Sequence, residues 1–278
     1  IMRRRQRQMC IRDRLPEVES IRRVLKKSLI NQNLQKYKIF DQRINRFNTV
    51  NPRNLGVLLE IYRKGKILQF NFKNNSIFFH LGMSGRLDLN GLKNKHTHGI
   101  FFFDEDVLLY DDIRKFGYIK ILKNDLANKQ FSILGPDALS LSKLDKIFVM
   151  NKAKKSSTSI KKFLLNQKNI SGLGNIYVNE ILFLAGIHPH SLSFKLQDTN
   201  WNDIFSNTKK VLKKAIKNNG TTLSDMTYVL PQGVYGNNQN NLYIYAKDKC
   251  FSCSNKIDKI FIDSRATYVC EKCQKIMN

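Results

Sequence analysis

The sequence predicts an α+β fold: an N-terminal antiparallel β-sandwich, a helical domain after it, and a four-cysteine hairpin at the end. Three observations carry that expectation. Short β-branched and aromatic runs fill Val57 to about Leu122, helical periodicity takes over after Gly135-Pro136-Asp137, and two Cys-x-x-Cys pairs close the chain.

Leu15-Pro16-Glu17-Val18-Glu19-Ser20 opens a first helix. Val18, Ile21, Leu25 and Leu29 share one face, and Pro16 with two glutamates suits a first helical turn. The strand-like runs are VLLEIY, ILQFNF, SIFFHL, IFFF, VLLY and YIKIL. Lys-Gly, Asn-Asn, Gly-Leu-Lys-Asn and Asp-Glu-Asp turn signals separate them, as in a sandwich or barrel. Ser157–Leu165, Asn175–Ala185 and Asn200–Asn218 read as helices, the last with Ile204, Val211, Leu212, Ala215 and Ile216 spaced for burial. The expected division is a leader at 1–14, the sandwich at 15–125, a linker at 126–150, the helical domain at 151–240 and the cysteine module at 241–278.

Charge narrows the partners. The chain carries 48 Lys plus Arg against 22 Asp plus Glu, a net charge of +26. So basic a surface suits a polyanion, because each phosphate it neutralises releases counterions. Abundant Lys, Asn and Ile would also follow from A·T-rich coding, so composition points to nucleic acid without saying what is done to it. No run approaches the roughly 18 apolar residues of a membrane span, and Ile1–Arg14 lacks the apolar stretch of a secretory signal. A cytoplasmic, nucleoid-associated protein is expected. With no heptad pattern and no apolar surface legible, a monomer is expected too.

Cys250-Phe-Ser-Cys253 and Cys270-Glu-Lys-Cys273 stand sixteen residues apart. Two such knuckles, each placing two thiolates on one side of an ion, match one structural Zn2+ held by four cysteines. The segments Lys259–Asp263 and Ala266–Val269 between them read as two strands, with Ser264-Arg265-Ala266 at the turn. A turn arginine braced by metal can be aimed at a phosphate, although a solvated turn arginine has the same spacing.

Seven motifs in order resemble the formamidopyrimidine-DNA glycosylase family, the Fpg/Nei enzymes of base-excision repair. They are Leu15-Pro-Glu-Val-Glu19, His80-Leu-Gly-Met-Ser-Gly-Arg86, Asp112-Ile-Arg-Lys-Phe-Gly117, Ser171-Gly-Leu-Gly-Asn-Ile-Tyr177, Gly186-Ile-His-Pro189, Gly220-Thr-Thr-Leu223 and Ser264-Arg-Ala-Thr267 in the cysteine module. The resemblance spans Leu15 to Lys275 and implies a helix–two-turn–helix motif in the helical domain. It implies double-stranded DNA with damaged bases or abasic sites as partner. The implied activity is glycosylase removal of oxidised purines (8-oxoguanine, formamidopyrimidines), followed by lyase β,δ-elimination.

By the same resemblance, Met83, Arg114 and Phe116 fill the void left by an extruded base: an apolar wedge, a cation and an aromatic plate. Met83 and Phe116 would equally suit a core on residue type alone. Asn175, after Gly172-Leu-Gly174, is implied to grip a phosphate, though Asn is also an ordinary N-cap. Lys66 matches the lysine credited with proton transfer in β-elimination, and Arg265 the arginine associated with δ-elimination. His96, Lys155 and Arg114 match DNA contacts; on type alone Lys66, His96 and Lys155 fit a solvated surface.

One part of the pattern is missing. Family members begin Met-Pro-Glu, and the proline amine attacks C1′ of the damaged nucleotide while the glutamate handles protons. Those two places hold Asp13 and Arg14, which are not expected to function in these roles. Ile1–Arg14 reads as an atypical leader that is not the natural start. Two other readings share the remaining motifs: an inactive lesion-binding paralogue and an oxidised-pyrimidine-specific Nei-like enzyme.

Overall fold

The computed structural model describes residues 15–45, 55–223 and 228–277. Helix α1 (Leu15–Leu29) buries Val18, Ile21, Leu25 and Leu29, the face its periodicity predicts. The strands that follow are β1 (Asn33–Leu34), β2 (Lys36–Ile39), β3 (Gly56–Val57), β4 (Glu60–Lys64), β5 (Ile67–Asn71), β6 (Asn75–His80), β7 (Gly85–Leu89), β8 (Thr97–Phe102), β9 (Val107–Asp112) and β10 (Tyr118–Lys123). Two antiparallel four-stranded sheets result, ordered β10-β6-β5-β4 and β2-β8-β9-β7. Their inner faces meet through aromatic rings: Phe79 of β6 lies 5.2 Å from Phe101 of β8 and 6.2 Å from Tyr110 of β9. Such contacts fill a sandwich core, and truncating one ring there costs about 3–5 kcal/mol.

The helical half contains α2 (Asn124–Ser132), α3 (Lys143–Lys154), α4 (Ile160–Leu165), α5 (Asn175–Leu184) and α6 (Asp198–Lys217). The helices read from sequence are present, with shifted ends. α4 starts at Ile160 rather than Ser157 because Ser159 caps it, accepting from the Lys162 amide. Two helices went unread: the segment expected as a linker, 126–150, carries most of α2 and of α3. In α3 the buried Val149 and Ala153 lie opposite the exposed Leu144, Ile147 and Phe148, so apolar residues fall on both faces with no single stripe to read, and its sequence signal is the capping box of Ser142 with Asp145. Strand β7 was missed because its Leu87 and Leu89 alternate with charged Arg86 and Asp88 over only five residues. No helix among the described residues is long and apolar enough to cross a membrane.

The two halves are stitched at α1. Leu15 packs into the helical core, whereas Val18 and Ile21 pack into the sandwich. Beside it the buried Arg63 on β4 donates to Glu19 at 3.1 Å, to Asp137 at 2.7 and 3.1 Å, and to the Gly65 carbonyl at 2.8 Å. Glu19 also accepts from Arg22 at 2.9 Å and Arg23 at 2.9 Å. Burial alone would raise its carboxyl, but those guanidinium hydrogen bonds and the charge of Arg63 outweigh it and hold the group at about 2. A carboxyl depressed in the fold lends stability that is complete above its ordinary value near 4.5 and is lost as pH falls toward 2. Thermal melts from pH 6 to 2 should therefore drop more steeply for the parent than for Glu19→Gln. The difference should amount to about 3 kcal/mol; parallel curves would show that Glu19 is not the titrating link.

Candidate nucleic-acid interface

Three segments from distant parts of the chain converge at the start of α1. The β4–β5 turn places Gly65, with φ +58°, so that a Cβ there would lie 3.1 Å from the Ser171 side chain. Gly172, with φ +101°, has no room for a Cβ because Leu15 occupies that space. Only glycine fits such a close left-handed approach. Lys66 follows Gly65 and is 6 % exposed, so the solvated surface its residue type suggested is not where it sits. Glu17, also buried, accepts from the Tyr177 hydroxyl and the Thr221 amide, both at 2.7 Å. The turn 171–174, the Lys66 hairpin, Gly220-Thr221 and α1 thus form one junction. Asp13 and Arg14, immediately before Leu15, lie outside the described residues.

Met83, Arg114 and Phe116 come together on a second surface. The Arg114 guanidinium lies 3.7 Å from the Met83 sulfur and 5.7 Å from the Phe116 ring centre. Phe116 is 39 % exposed and Arg114 is exposed, which rules out the core reading for Phe116. Their loop is braced from within by Asp112, which is fully buried. Its carboxylate accepts from the Ser84 hydroxyl at 2.6 Å, the Arg114 amide at 3.2 Å and the Gly117 amide at 2.8 Å. Gly82, flanking Met83, meets the backbone of Phe116 and Gly117 with no space for a side chain. His96 joins this scaffold through its backbone: its carbonyl accepts from the Asp112 amide at 3.0 Å, and the residue is partly buried.

The third surface is the cysteine module. The four sulfurs lie within 4.8 Å of one another, with Cys250 to Cys273 at 3.8 Å and Cys253 to Cys270 at 3.5 Å. A tetrahedral ion with metal–sulfur bonds of ~2.3 Å sets edges of ~3.8 Å, so these cysteines are placed to bind a metal ion. Four thiolates this close need a cation to offset their mutual repulsion. Between the knuckles run β11 (Asp258–Ile262) and β12 (Arg265–Val269), paired antiparallel. Asp263 and Ser264 turn the hairpin with φ +47° and +57°, as a two-residue type I′ turn requires.

Polar residues of α5 and α4 hold that hairpin. Asn175 donates to the Ala266 carbonyl at 2.9 Å, and one turn on Asn179 accepts from the Tyr268 amide at 2.8 Å. Glu180, buried beside them, accepts from the amides of Tyr243, Ile244 and Tyr245 at 2.6, 3.1 and 2.8 Å. Gly174, not Asn175, is the N-cap of α5, so Asn175 serves as a strut rather than a cap. Its Oδ1 is buried and has no hydrogen-bond partner among the described residues. Asn179 and Glu180 escaped the sequence reading; an Asn-x-x-x-Asn-Glu pattern on an otherwise apolar helix was the available signal. Beside the hairpin, a groove of about 530 Å³ gathers Lys152, Lys155, Lys162 and Arg265, with Asn166 and Asp263. Four cations and one carboxylate suit a phosphodiester backbone. Lys155 and Arg265, 110 residues apart in sequence, are brought together here.

Lys161, completely buried, also went unread. Its ammonium donates to the Thr267 hydroxyl at 2.6 Å and to the Ala266 carbonyl at 3.2 Å. Burial, reinforced by the charge of Arg265, lowers it to about 7. Between that value and the ordinary 10.5 the unfolded chain binds a proton the folded chain does not, so this group makes stability rise with pH across that window. Lys161→Met should flatten the rise in Tm between pH 7 and 10 relative to the parent. An unchanged profile would mean Lys161 is charged throughout.

Comparison with known proteins agrees with this geometry. Residues 14–119 match the formamidopyrimidine-DNA glycosylase N-terminal domain, and residues 134–227 match the formamidopyrimidine-DNA glycosylase H2TH domain. The formamidopyrimidine-DNA glycosylase of Listeria innocua is 34% identical over 276 residues, covering 94% of this chain and 99% of that protein. That of Lactococcus lactis subsp. lactis is 33% identical over 272 residues, covering 94% and 98%. Among solved structures, Lactococcus lactis Fpg with DNA containing an abasic site superposes with a TM-score of 0.85 at 31% identity, covering 94% of this chain and 99% of that one. MutM with DNA containing carbocyclic 8-oxo-G superposes with a TM-score of 0.85 at 32% identity and the same coverage. The cysteine hairpin, the helical domain and the sandwich, each built as described, are those of one lineage: the chain belongs to the formamidopyrimidine-DNA glycosylase family.

Proposed function

We propose that this protein is a base-excision DNA glycosylase that removes oxidised purines, 8-oxoguanine and formamidopyrimidines, and then opens the abasic site by β,δ-elimination. One observation carries the reading: Met83, Arg114 and Phe116 form an exposed cluster on a braced loop. Neither half of the core needs such a cluster for its packing, whereas a duplex from which a base has been extruded needs all three kinds of group. Met83 supplies the wedge, Phe116 a stacking face, and Arg114 donors for the orphaned partner base. Lys155, Arg265 and the exposed edge of His96 contact the phosphates, and Asn175 fixes the hairpin that carries Arg265. Lys66, packed at the junction with α1, moves the proton for β-elimination, and Arg265 serves the second elimination. Double-stranded damaged DNA is the partner, bound by a monomer at the nucleoid.

The amine that attacks C1′ must be uncharged, and an α-amino group near pKa 8 meets that need better than a lysine near 10.4. The family's Pro and Glu places, held here by Asp13 and Arg14, immediately precede in sequence Leu15, which packs against Gly172. The test compares the form with Asp13-Arg14 before Leu15 with a version in which Met-Pro-Glu directly precedes Leu15, each on a duplex with a single 8-oxoguanine. The Met-Pro-Glu version should nick it and be trapped by borohydride; the Asp13-Arg14 form should bind abasic DNA without trapping. If neither nicks yet both hold lesion DNA, the protein is a damage-binding paralogue. Faster cleavage of oxidised thymine would make it the pyrimidine-directed relative. In the active version, Arg114→Ala and Met83→Ala should lower kcat/KM about 10–100-fold with Tm unchanged.

The ion held by Cys250, Cys253, Cys270 and Cys273 is proposed to be Zn2+, which with four thiolates is closed to substrate and serves structure alone. Elemental analysis should find one zinc per chain, and Cys270→Ser should abolish it together with DNA binding. The sandwich has its own core and should keep its near-ultraviolet signal. DNA binding that survives zinc loss would remove the hairpin from the interface.

A further inference from the structure

We propose that the outer face of α3, with the groove beside it, docks a short acidic peptide segment of a partner protein through apolar anchors. The groove measures about 570 Å³ and is lined by Ile133, Leu144 and Phe148 together with Lys64, Lys152 and Lys168. Ile133 is 65% exposed, Leu144 78% and Phe148 48%, and Ile147 beside them is exposed as well. Leu144, Ile147 and Phe148 fall at helical spacings of three and four, so they form one stripe. That stripe faces away from Val149 and Ala153, which with the partly buried Met150 pack α3 on the helical core. A contiguous apolar patch rimmed by charge is the usual mark of a contact surface.

The charges select the occupant. Asp145 is the one carboxylate in the lining, and it is committed to the helix cap, accepting from the Ser142 amide at 2.9 Å and the Ser142 hydroxyl at 2.7 Å. Lys64 donates to the Phe131 carbonyl at 3.4 Å and Lys152 to the Lys168 carbonyl at 2.7 Å. Among the described residues none of the three lysines is paired with a carboxylate, so the rim is positive and uncompensated. A second copy of this chain, at +26, and the arginine-rich segment 1–14 both bear the wrong sign. Duplex DNA bears the right sign but offers its backbone nothing for Leu144 or Phe148 to bury against. Aspartate or glutamate residues interspersed with leucine or phenylalanine match both halves of the surface, as in helix-groove and acidic-motif recognition. Lys152 also lines the groove that holds Lys155 and Arg265, so the occupant would sit at the border of the DNA path.

Fluorescence anisotropy on the full chain tests this, using a labelled aspartate-rich peptide with a single leucine and a single phenylalanine. A control peptide carries serine at those two places and has the same charge. The apolar peptide should bind with Kd on the order of 10 μM. The serine peptide should bind about tenfold more weakly, as should the apolar peptide to Leu144→Ser/Phe148→Ser. Both side chains are exposed, so the double variant should keep its Tm and its affinity for lesion DNA. Lys168→Glu, which leaves the apolar stripe intact, should also weaken the peptide severalfold. Equal binding of the two peptides, or no effect of the double variant, would overturn the proposal. Loss of undamaged-duplex binding in the double variant would assign the groove to DNA instead.

Discussion

The buried guanidinium of Arg63 is the constraint on which the rest of the molecule depends. A guanidinium carries five donors that cannot be neutralised, so burying it requires acceptors arranged around it. Here they come from α1 through Glu19, from the segment that leads to the helical half through Asp137, and from its own hairpin through the Gly65 carbonyl. Moving any of these leaves charge in a poorly solvated place, a penalty of about 3–5 kcal/mol when a buried partner is lost. The β4–β5 turn therefore sits where it does, with Gly65 against Ser171 and Lys66 beside it. The Asp137 carboxylate adds a bond to the Gly65 amide at 2.7 Å, so the turn is fixed at both its carbonyl and its amide. Register between the halves is set by polar geometry, and stability comes from the apolar cores on either side.

A similar logic governs the metal hairpin. Apolar contacts around the cysteines are few, so the hairpin needs orienting contacts of another kind. They are the side chains of Asn175, Asn179, Glu180 and Lys161, each satisfying backbone groups of the module. Hydrogen bonds fix direction where apolar packing fixes only proximity. Ala266 is the shared acceptor for Lys161 and Asn175, and it directly follows Arg265. The arginine at the groove is thus located by its neighbour's carbonyl, while its own side chain remains available at the surface.

Much of this was legible in the sequence. The face of α1, the strands from Glu60 to Lys123 other than β7, and the cysteine pairs each follow from periodicity or spacing that local physics enforces. The joining of Met83 to Arg114 and Phe116 came only from the resemblance, and that of Lys155 to Arg265 only from the structure, because no local rule brings such distant residues together. What stayed hidden has a common cause. Lys161, Asn179, Glu180 and Asp112 are polar residues whose burial is decided by partners elsewhere in the chain, and in sequence they look like surface. α3 stayed hidden for a different reason. Its apolar residues lie on both faces, Val149 and Ala153 inward and Leu144, Ile147 and Phe148 outward, so no single stripe stood out from the sequence.

Two exposed elements remain to be reconciled with a stable fold: the loop of residues 113–117 and the hairpin tip at 263–265. Each contains positive-φ residues that are not glycine, Lys115 in the first, Asp263 and Ser264 in the second. Each is held by polar anchors on its inner side, the buried Asp112 for the loop and the partly buried Asn175 with the buried Lys161 for the hairpin. Extruding a base sacrifices stacking and pairing, a few kcal/mol that contacts made afterwards must supply. A wedge or a cation that had to be ordered at that moment would lose about 0.5–1.5 kcal/mol per side chain in addition. Bracing both elements from beneath fixes their backbones in advance, and the Arg63 junction keeps the halves that carry them in register. The strain in the turns is the counterpart of that preorganisation, and it falls on the surfaces proposed to meet DNA.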